Sequence, residues 1–125
     1  MTEVIFKELS YKIVGLAYET FNTLGSGLKE KIYGNAFEQL LKDEKIVYQR
    51  ELSYPVKIRD IVIGRSFFDF LINNKIVVEL KSGNNKYKEA CVQLYEYLKT
   101  SNLELGIIIR FTKDGVKFKR ILNLY

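Results

Sequence analysis

Asp69, Glu79 and Lys81 are the residues on which chemistry could be built. They lie in two β-rich runs, Phe67-Phe68-Asp69-Phe70-Leu71-Ile72 and Lys75-Ile76-Val77-Val78-Glu79-Leu80-Lys81, on either side of Asn73-Asn74. Asparagine tolerates the left-handed backbone of tight turns, so the stretch predicts a β-hairpin. Opposed residues of an antiparallel pair share a face, and side chains alternate along each strand. A two-residue loop at Asn73-Asn74 would set Asp69 opposite Val78 and leave Glu79 on the other face. A three-residue loop, Asn73 to Lys75, pairs Ile72 with Ile76, Phe70 with Val78 and Phe68 with Leu80. Every even position is then apolar, and the odd face gathers Asp69, Glu79 and Lys81 beside Phe67, Leu71 and Val77. Register follows the hydrophobic pattern where one face is buried, which favours the second pairing; a bulge would reach the same grouping.

Two carboxylates side by side on a sheet repel, so the arrangement needs a cause. One reading is an exposed face on which Lys81 or a neighbour neutralises Asp69 and Glu79. The other is a divalent-metal site of hard oxygen ligands with the lysine beside an attacking water.

Composition narrows the chemistry. The chain has 125 residues, an apolar fraction of 47% and a single cysteine, Cys91. Such a chain is expected to form one domain spanning 1–125, with no transmembrane segment and no internal disulfide, in keeping with a reducing cytoplasm. The acidic start Met1-Thr2-Glu3 leads into an amphipathic pattern unlike a signal peptide. There is no histidine, which removes Ser-His-Asp and Cys-His catalysis and the usual zinc sites. Carboxylates, lysines, tyrosines, hydroxyls and a metal are left. The net charge of +5 suits a polyanionic partner without requiring one.

The elements that must position these residues follow from periodicity. Phe6, Leu9, Ile13, Leu16, Ala17, Phe21 and Leu24 recur at helical spacing, predicting a helix from about Val4 to Leu24 that ends at Gly25-Ser26-Gly27. A second helix from about Leu28 to Glu44 carries Ile32, Tyr33, Ala36, Phe37, Leu40 and Leu41 as its stripe. Glu30 sits at the edge of that stripe, either as a first-turn acid favoured by the helix dipole or as a third carboxylate aimed at the hairpin. Ile46–Leu52 and Pro55–Ile63 read as strands, the latter broken near Arg59-Asp60, with Gly64-Arg65 turning into the hairpin. That makes four β runs in succession. Ser82 to Lys86 reads as a polar loop, and a third helix runs from about Tyr87 to Thr100 with Ala90, Cys91, Leu94, Tyr95 and Leu98 toward the core. Gln93 and Tyr97, four apart, share one flank of it. Leu103–Phe111 reads as an interior strand, and Val116, Phe118 and Ile121 to Leu124 as a final edge strand. The order ααββββαββ implies an α/β (mixed α+β) fold in which a mixed central sheet is flanked by helices and the third helix makes a right-handed parallel crossover.

Asp69 followed by Glu79-Leu80-Lys81 resembles the D…(D/E)-x-K signature of the PD-(D/E)xK nuclease superfamily. Gly27-Leu28-Lys29-Glu30-Lys31-Ile32-Tyr33 is similar to G-x-x-E-x-x-Y, the pattern of the GxxExxY protein family within it. Gln93-Leu94-Tyr95-Glu96-Tyr97 resembles the Q-x-x-x-Y element of RecB-like exonucleases. Phe67-Phe68 stands where many relatives have a proline before the aspartate, and the segment from Lys81 to Gln93 lacks a histidine that many carry.

The resemblance implies a restriction-endonuclease-like core and a metal-dependent nuclease acting on nucleic acid, with DNA the first expectation. It implies Mg²⁺ or Mn²⁺ held by Asp69 and Glu79, with the Leu80 carbonyl and Glu30 as further ligands, and Lys81 assisting the attacking water. Gln93, Tyr97 and Tyr33 would support the site, and Arg65, Lys86 and Lys88 would grip the phosphate backbone. A homodimer is compatible with nucleases of this size, and a catalytically silent nuclease-fold module that binds nucleic acid or protein is the alternative.

Overall fold

The computed structural model describes residues 6–84 and 86–123. Helix α1 spans Lys7–Leu24 and is closed by Gly25, whose N–H donates to the Phe21 carbonyl at 2.7 Å. Helix α2 spans Glu30–Asp43, and helix α3 spans Tyr87–Ser101. The strands are β1 (Tyr48–Ile58), β2 (Ile61–Ile72), β3 (Ile76–Ser82), β4 (Leu105–Thr112) and β5 (Gly115–Leu122). They form one five-stranded sheet in the order β1-β2-β3-β4-β5. Only β3 and β4 run parallel, because α3 carries the chain back between them; the other neighbours are antiparallel.

Both faces of this sheet are buried. On one, Ile13, Leu16 and Ala17 of α1 and Tyr33, Phe37 and Leu41 of α2 pack on Phe70, Ile72, Ile76, Val78, Leu80, Ile107, Ile109 and Phe111. On the other, Ala90, Leu94 and Leu98 of α3 pack on Leu52, Phe68, Val77, Ile108 and Ile121. The continuous apolar run of β4 reflects this double burial, since consecutive residues face opposite helical layers. β5 lies at one edge and β1 at the other. Pro55 is tolerated within β1 because an edge strand can leave one donor row unpaired.

Three differences from the sequence expectations have physical causes. The four β runs before α3 are three strands: Arg59 and Asp60, with φ of 47° and 68°, form the tight turn of a β1–β2 hairpin, and β2 runs unbroken through Gly64 and Arg65. A register shift between Val56 and Lys57 accommodates the sequence there as a bulge. Helix α2 starts two residues later than expected, and Val4 and Leu124 lie outside the described residues. Ile32 and Tyr95, placed on the buried stripes by periodicity, are 47% and 43% exposed. Each sits at the margin of its stripe, and the Lys99 ammonium lies over the Tyr95 ring at 5.3 Å.

Candidate active site

The β2–β3 hairpin turns at Asn73 and Asn74, both with left-handed φ (53° and 55°), and pairs Ile72 with Ile76, Leu71 with Val77 and Phe70 with Val78. This is the register of the three-residue loop. The regular ladder stops at Phe70–Val78. Beyond it, carboxylates take over the backbone donors: the Asp69 N–H donates to Glu79 Oε1 at 3.0 Å, and the Leu80 N–H donates to Asp69 Oδ2 at 2.7 Å. The two acids thereby replace a stretch of sheet pairing and are locked to each other's strand.

The expected pairing of Phe68 with Leu80 on one apolar face does not occur. Phe68 belongs to the layer under α3, whereas Leu80 belongs to the layer under α1 and α2. Phe70 and Ile72 face α1 and α2, while Leu71 packs with the α3 layer, so the alternation of β2 breaks across Asp69. Glu51, on the neighbouring strand between the Arg50–Phe70 and Leu52–Phe68 pairs, has a φ of 62°. The irregularity thus extends through both strands at the level of Asp69, and strand irregularities of this kind re-aim side chains.

Lys81 follows Glu79 on β3, and its Nζ lies 3.6 Å from Glu79 Oε2, with only 17% and 14% of the two side chains exposed. Burial pushes the Glu79 carboxyl up to about 8, and the neighbouring Asp69 charge adds to that rise. Asp69 is raised as well, first by burial and then by the charge of Glu30. Lys81 opposes both shifts without cancelling them.

Glu30 reaches this cluster from α2. As the first residue of the helix it benefits from the helix dipole, and its Oε2 accepts the Ser82 N–H at 3.3 Å. The Ser82 hydroxyl donates to the Leu28 carbonyl at 2.7 Å, tying the end of β3 to the segment before α2. Tyr33 sets that segment: its buried hydroxyl donates to the Gly25 carbonyl at 2.6 Å and accepts the Leu28 N–H at 3.3 Å. Its ring stacks on Phe111 at 4.2 Å, and Gly27 takes a φ of 87° that a side chain would resist. The glycine and tyrosine of the G-x-x-E-x-x-Y segment therefore hold the loop from which Glu30 projects.

Gln93 and Tyr97 lie on the α3 side. Tyr97 packs against Phe68 and Tyr54, each at 5.2 Å between ring centres, and Gln93 is exposed beside it. Arg65 is exposed on β2 and donates through Nε to Ser53 Oγ at 2.6 Å. Lys86 and Lys88 are exposed at the start of α3. Asp69, Glu79, Lys81 and Glu30 are thus brought together around the end of β3, with Tyr33 behind them, while Arg65, Lys86 and Lys88 stand on the surface. The sequence reading missed Ser82, assigned to a loop, and Phe68 and Tyr54, assigned no role. Extending the β3 alternation by one step would have placed Ser82 on the face of Leu80, toward α2.

A family model described as the PD-(D/E)XK nuclease superfamily matches residues 7–121. The chain belongs to this superfamily. Among solved structures, the PD-(D/E)XK chain is similar to SSO0001, with 24% identity over 75% of this chain and 50% of that one and a TM-score of 0.59. It thus spans half the length of SSO0001, and the likeness is one of fold. A more distant likeness is to an alkaline exonuclease (LHK-Exo) from Laribacter hongkongensis, at 9% identity over 98% of this chain and 72% of that one, with a TM-score of 0.49. No curated protein matches the sequence significantly. No helix among the described residues is long and apolar enough to cross a membrane.

The donors suit a hard divalent cation in chemistry. Asp69 and Glu79 are carboxylates held together in a mostly buried site that is short of positive charge even with Lys81 present. No group of three or more carboxylate, histidine or cysteine side chains poised to hold a metal is found among the described residues, so Glu30 stands at the rim of the pair.

Proposed function

We propose that residues 1–125 act as one domain, a metal-dependent nuclease that hydrolyses phosphodiester bonds in nucleic acid, DNA first. The observation that carries this reading is the pair of carboxylates substituting for sheet hydrogen bonds between β2 and β3, with the Lys81 ammonium at Glu79. Membership in a nuclease superfamily supports it.

In this reading Asp69 and Glu79, with the Leu80 carbonyl, hold Mg²⁺ or Mn²⁺, which when bound polarises the scissile phosphate and makes a coordinated water more acidic. Mg²⁺ keeps several waters, so two carboxylates and a carbonyl are a sufficient protein share. Lys81 Nζ, anchored at Glu79, orients the attacking water and assists its deprotonation. Water adds to phosphorus, the bond to the leaving oxygen breaks, and that oxygen takes up a proton to give a hydroxyl end and a phosphomonoester. Glu30, fixed by the Ser82 N–H, accepts a hydrogen bond from a water at the rim. Tyr33 keeps Glu30 in position, and Gln93 and Tyr97 orient the strand or the lysine from the α3 side. Arg65, Lys86 and Lys88 contact phosphates without reading sequence, so affinity falls steeply with salt. The single cysteine fits action in a reducing cytoplasm.

The test is cleavage of labelled single-stranded, duplex and branched DNA, and of RNA, with Mg²⁺ or Mn²⁺, by the wild type and Lys81→Ala. The variant should lose about 100-fold or more in rate. Inertness of the wild type on every substrate, or equal cutting by the variant, removes the catalytic reading. A silent nuclease-fold module is the second reading, favoured by the lack of a three-group metal cluster among the described residues. Metal-independent binding that survives Asp69→Ala would support it.

A further inference from the structure

A groove of 560 Å³ opens between the β1–β2 ribbon and α3, lined by Tyr54, Val56, Lys57, Val92, Gln93 and Tyr97 among others. Its floor is an aromatic pile. Tyr54 stacks on Phe68 with ring centres 4.7 Å apart and an interplanar angle of 14°, and Tyr97 tilts against both at 5.2 Å. Phe68 immediately precedes Asp69, and it faces the α3 layer only because β2 loses its alternation at that point. The break that re-aims the first carboxylate thus also sets Phe68 behind the two tyrosines that line the groove.

The groove is mostly apolar, yet its polar groups are available. Neither the Tyr54 nor the Tyr97 hydroxyl donates to a protein acceptor in the hydrogen bonds of the described residues, and the two lie near enough for Tyr54 to raise the Tyr97 hydroxyl, after burial. The Gln93 amide is exposed at the rim. Lys57 supplies a cation, and the one lining acid, Glu96, has Lys99 3.8 Å away. A flat ring that stacks on Tyr54 and Tyr97, carries donors and acceptors on its edge and belongs to a strand whose backbone runs along β1, with one flanking phosphate toward Lys57 and the other toward Asp69, would satisfy every one of these features.

We propose that this groove is a base-stacking subsite that holds one unpaired nucleotide next to the scissile phosphate, so that single-stranded nucleic acid or a frayed end is preferred over intact duplex. The proposal rests on the nuclease reading for its scissile phosphate, but the stacking itself does not. A base inside a duplex is already stacked on its neighbours, and its edge is occupied by its partner. An unpaired base has both available, and stacking on aromatic side chains is tolerant of sequence.

The experiment measures binding in EDTA of a single-stranded oligonucleotide carrying 2-aminopurine, and of the matching duplex, to wild type, Tyr54→Phe, Tyr54→Ala and Val92→Glu. Val92 is 63% exposed, so its replacement is tolerated by the fold even if loss of Tyr54 is not. The wild type and Tyr54→Phe should quench the 2-aminopurine. Tyr54→Ala should weaken single-strand binding about 10-fold or more with duplex binding little changed. Val92→Glu should abolish the quenching. Unaltered quenching and affinity in both Tyr54→Ala and Val92→Glu overturn the subsite, and the nuclease reading survives if metal-dependent cutting persists. Quenching that depends on Tyr54 in a protein that cuts nothing keeps the subsite and sinks the nuclease reading. A concentration-dependent dimer broken by Val92→Glu, with no quenching in any protein, assigns the groove to a second copy and overturns the proposal.

Discussion

Replacing Glu79 by glutamine removes one charge from the buried pair while keeping its shape and an oxygen for the Asp69 N–H. In the metal-free protein the Glu79 carboxyl is held up from 4.5 to about 8 by burial and by Asp69. A carboxyl whose pKa is higher folded than unfolded binds more protons in the folded state, so stability falls as pH rises between the two values. At about 1.36 kcal/mol for each tenfold change in proton affinity, raising the pH from 5 to 8 should cost the wild type about 3 kcal/mol through Glu79. Asp69, shifted the same way, steepens the fall. Glu79→Gln loses the contact with Lys81 across 3.6 Å, a weak loss beside the relief of repulsion. The assay is urea unfolding in EDTA at pH 5 and pH 8 for both proteins. The stability difference, variant minus wild type, should grow by about 3 kcal/mol between the two pH values. A difference that stays constant, or that grows toward acid, would show that the pair is not held in the uphill state described here.

Other expectations follow from single contacts. Tyr33→Phe removes the hydroxyl that joins Gly25 to Leu28 and should cost about 1–3 kcal/mol in urea unfolding, with a larger proportional loss of cutting than of fold as Glu30 loosens. Gly106→Ala would place a methyl 2.5 Å from Leu94 Cδ2, overpacking the interface between β4 and α3 by about 1–3 kcal/mol; an unchanged melting temperature would contradict that packing. Mn²⁺ at pH 8 should raise the melting temperature of the wild type and leave that of Asp69→Asn nearly unmoved, by mass action on the folded state. Combined Lys86→Ala and Lys88→Ala should weaken single-strand and duplex binding alike and flatten the salt dependence, as expected of phosphate contacts that carry no sequence information.

Much of the fold was legible because it rests on local rules. The 3.6 period of Ile13, Leu16 and Ala17, the paired asparagines at positions 73 and 74, and the unbroken apolar run of β4 each specify an element. The hairpin register followed from parity alone, since a one-residue slip would have put Asp69 and Glu79 on opposite faces and broken the apolar face of even positions. The turn at Arg59-Asp60 was less visible, because neither residue is a glycine or asparagine and the strands around it, with Ile58 and Ile61 59% and 65% exposed, resemble one continuous strand.

The types and order of Asp69, Glu79, Lys81 and Glu30 belong to the sequence, and so does the absence of histidine that confines the chemistry to carboxylates and lysine. What only the tertiary structure decides is how the acids meet. Strict alternation puts Phe68 and Leu80 on one face, but the backbone departs from it at Asp69 and Glu51, where local propensity gives no sign of a break. That departure lets two carboxylates bond across strands in place of a ladder and turns Phe68 toward Tyr54 and Tyr97. Which residues face α3 and which face the α1–α2 pair is set by contacts between residues distant in sequence, which no local window contains.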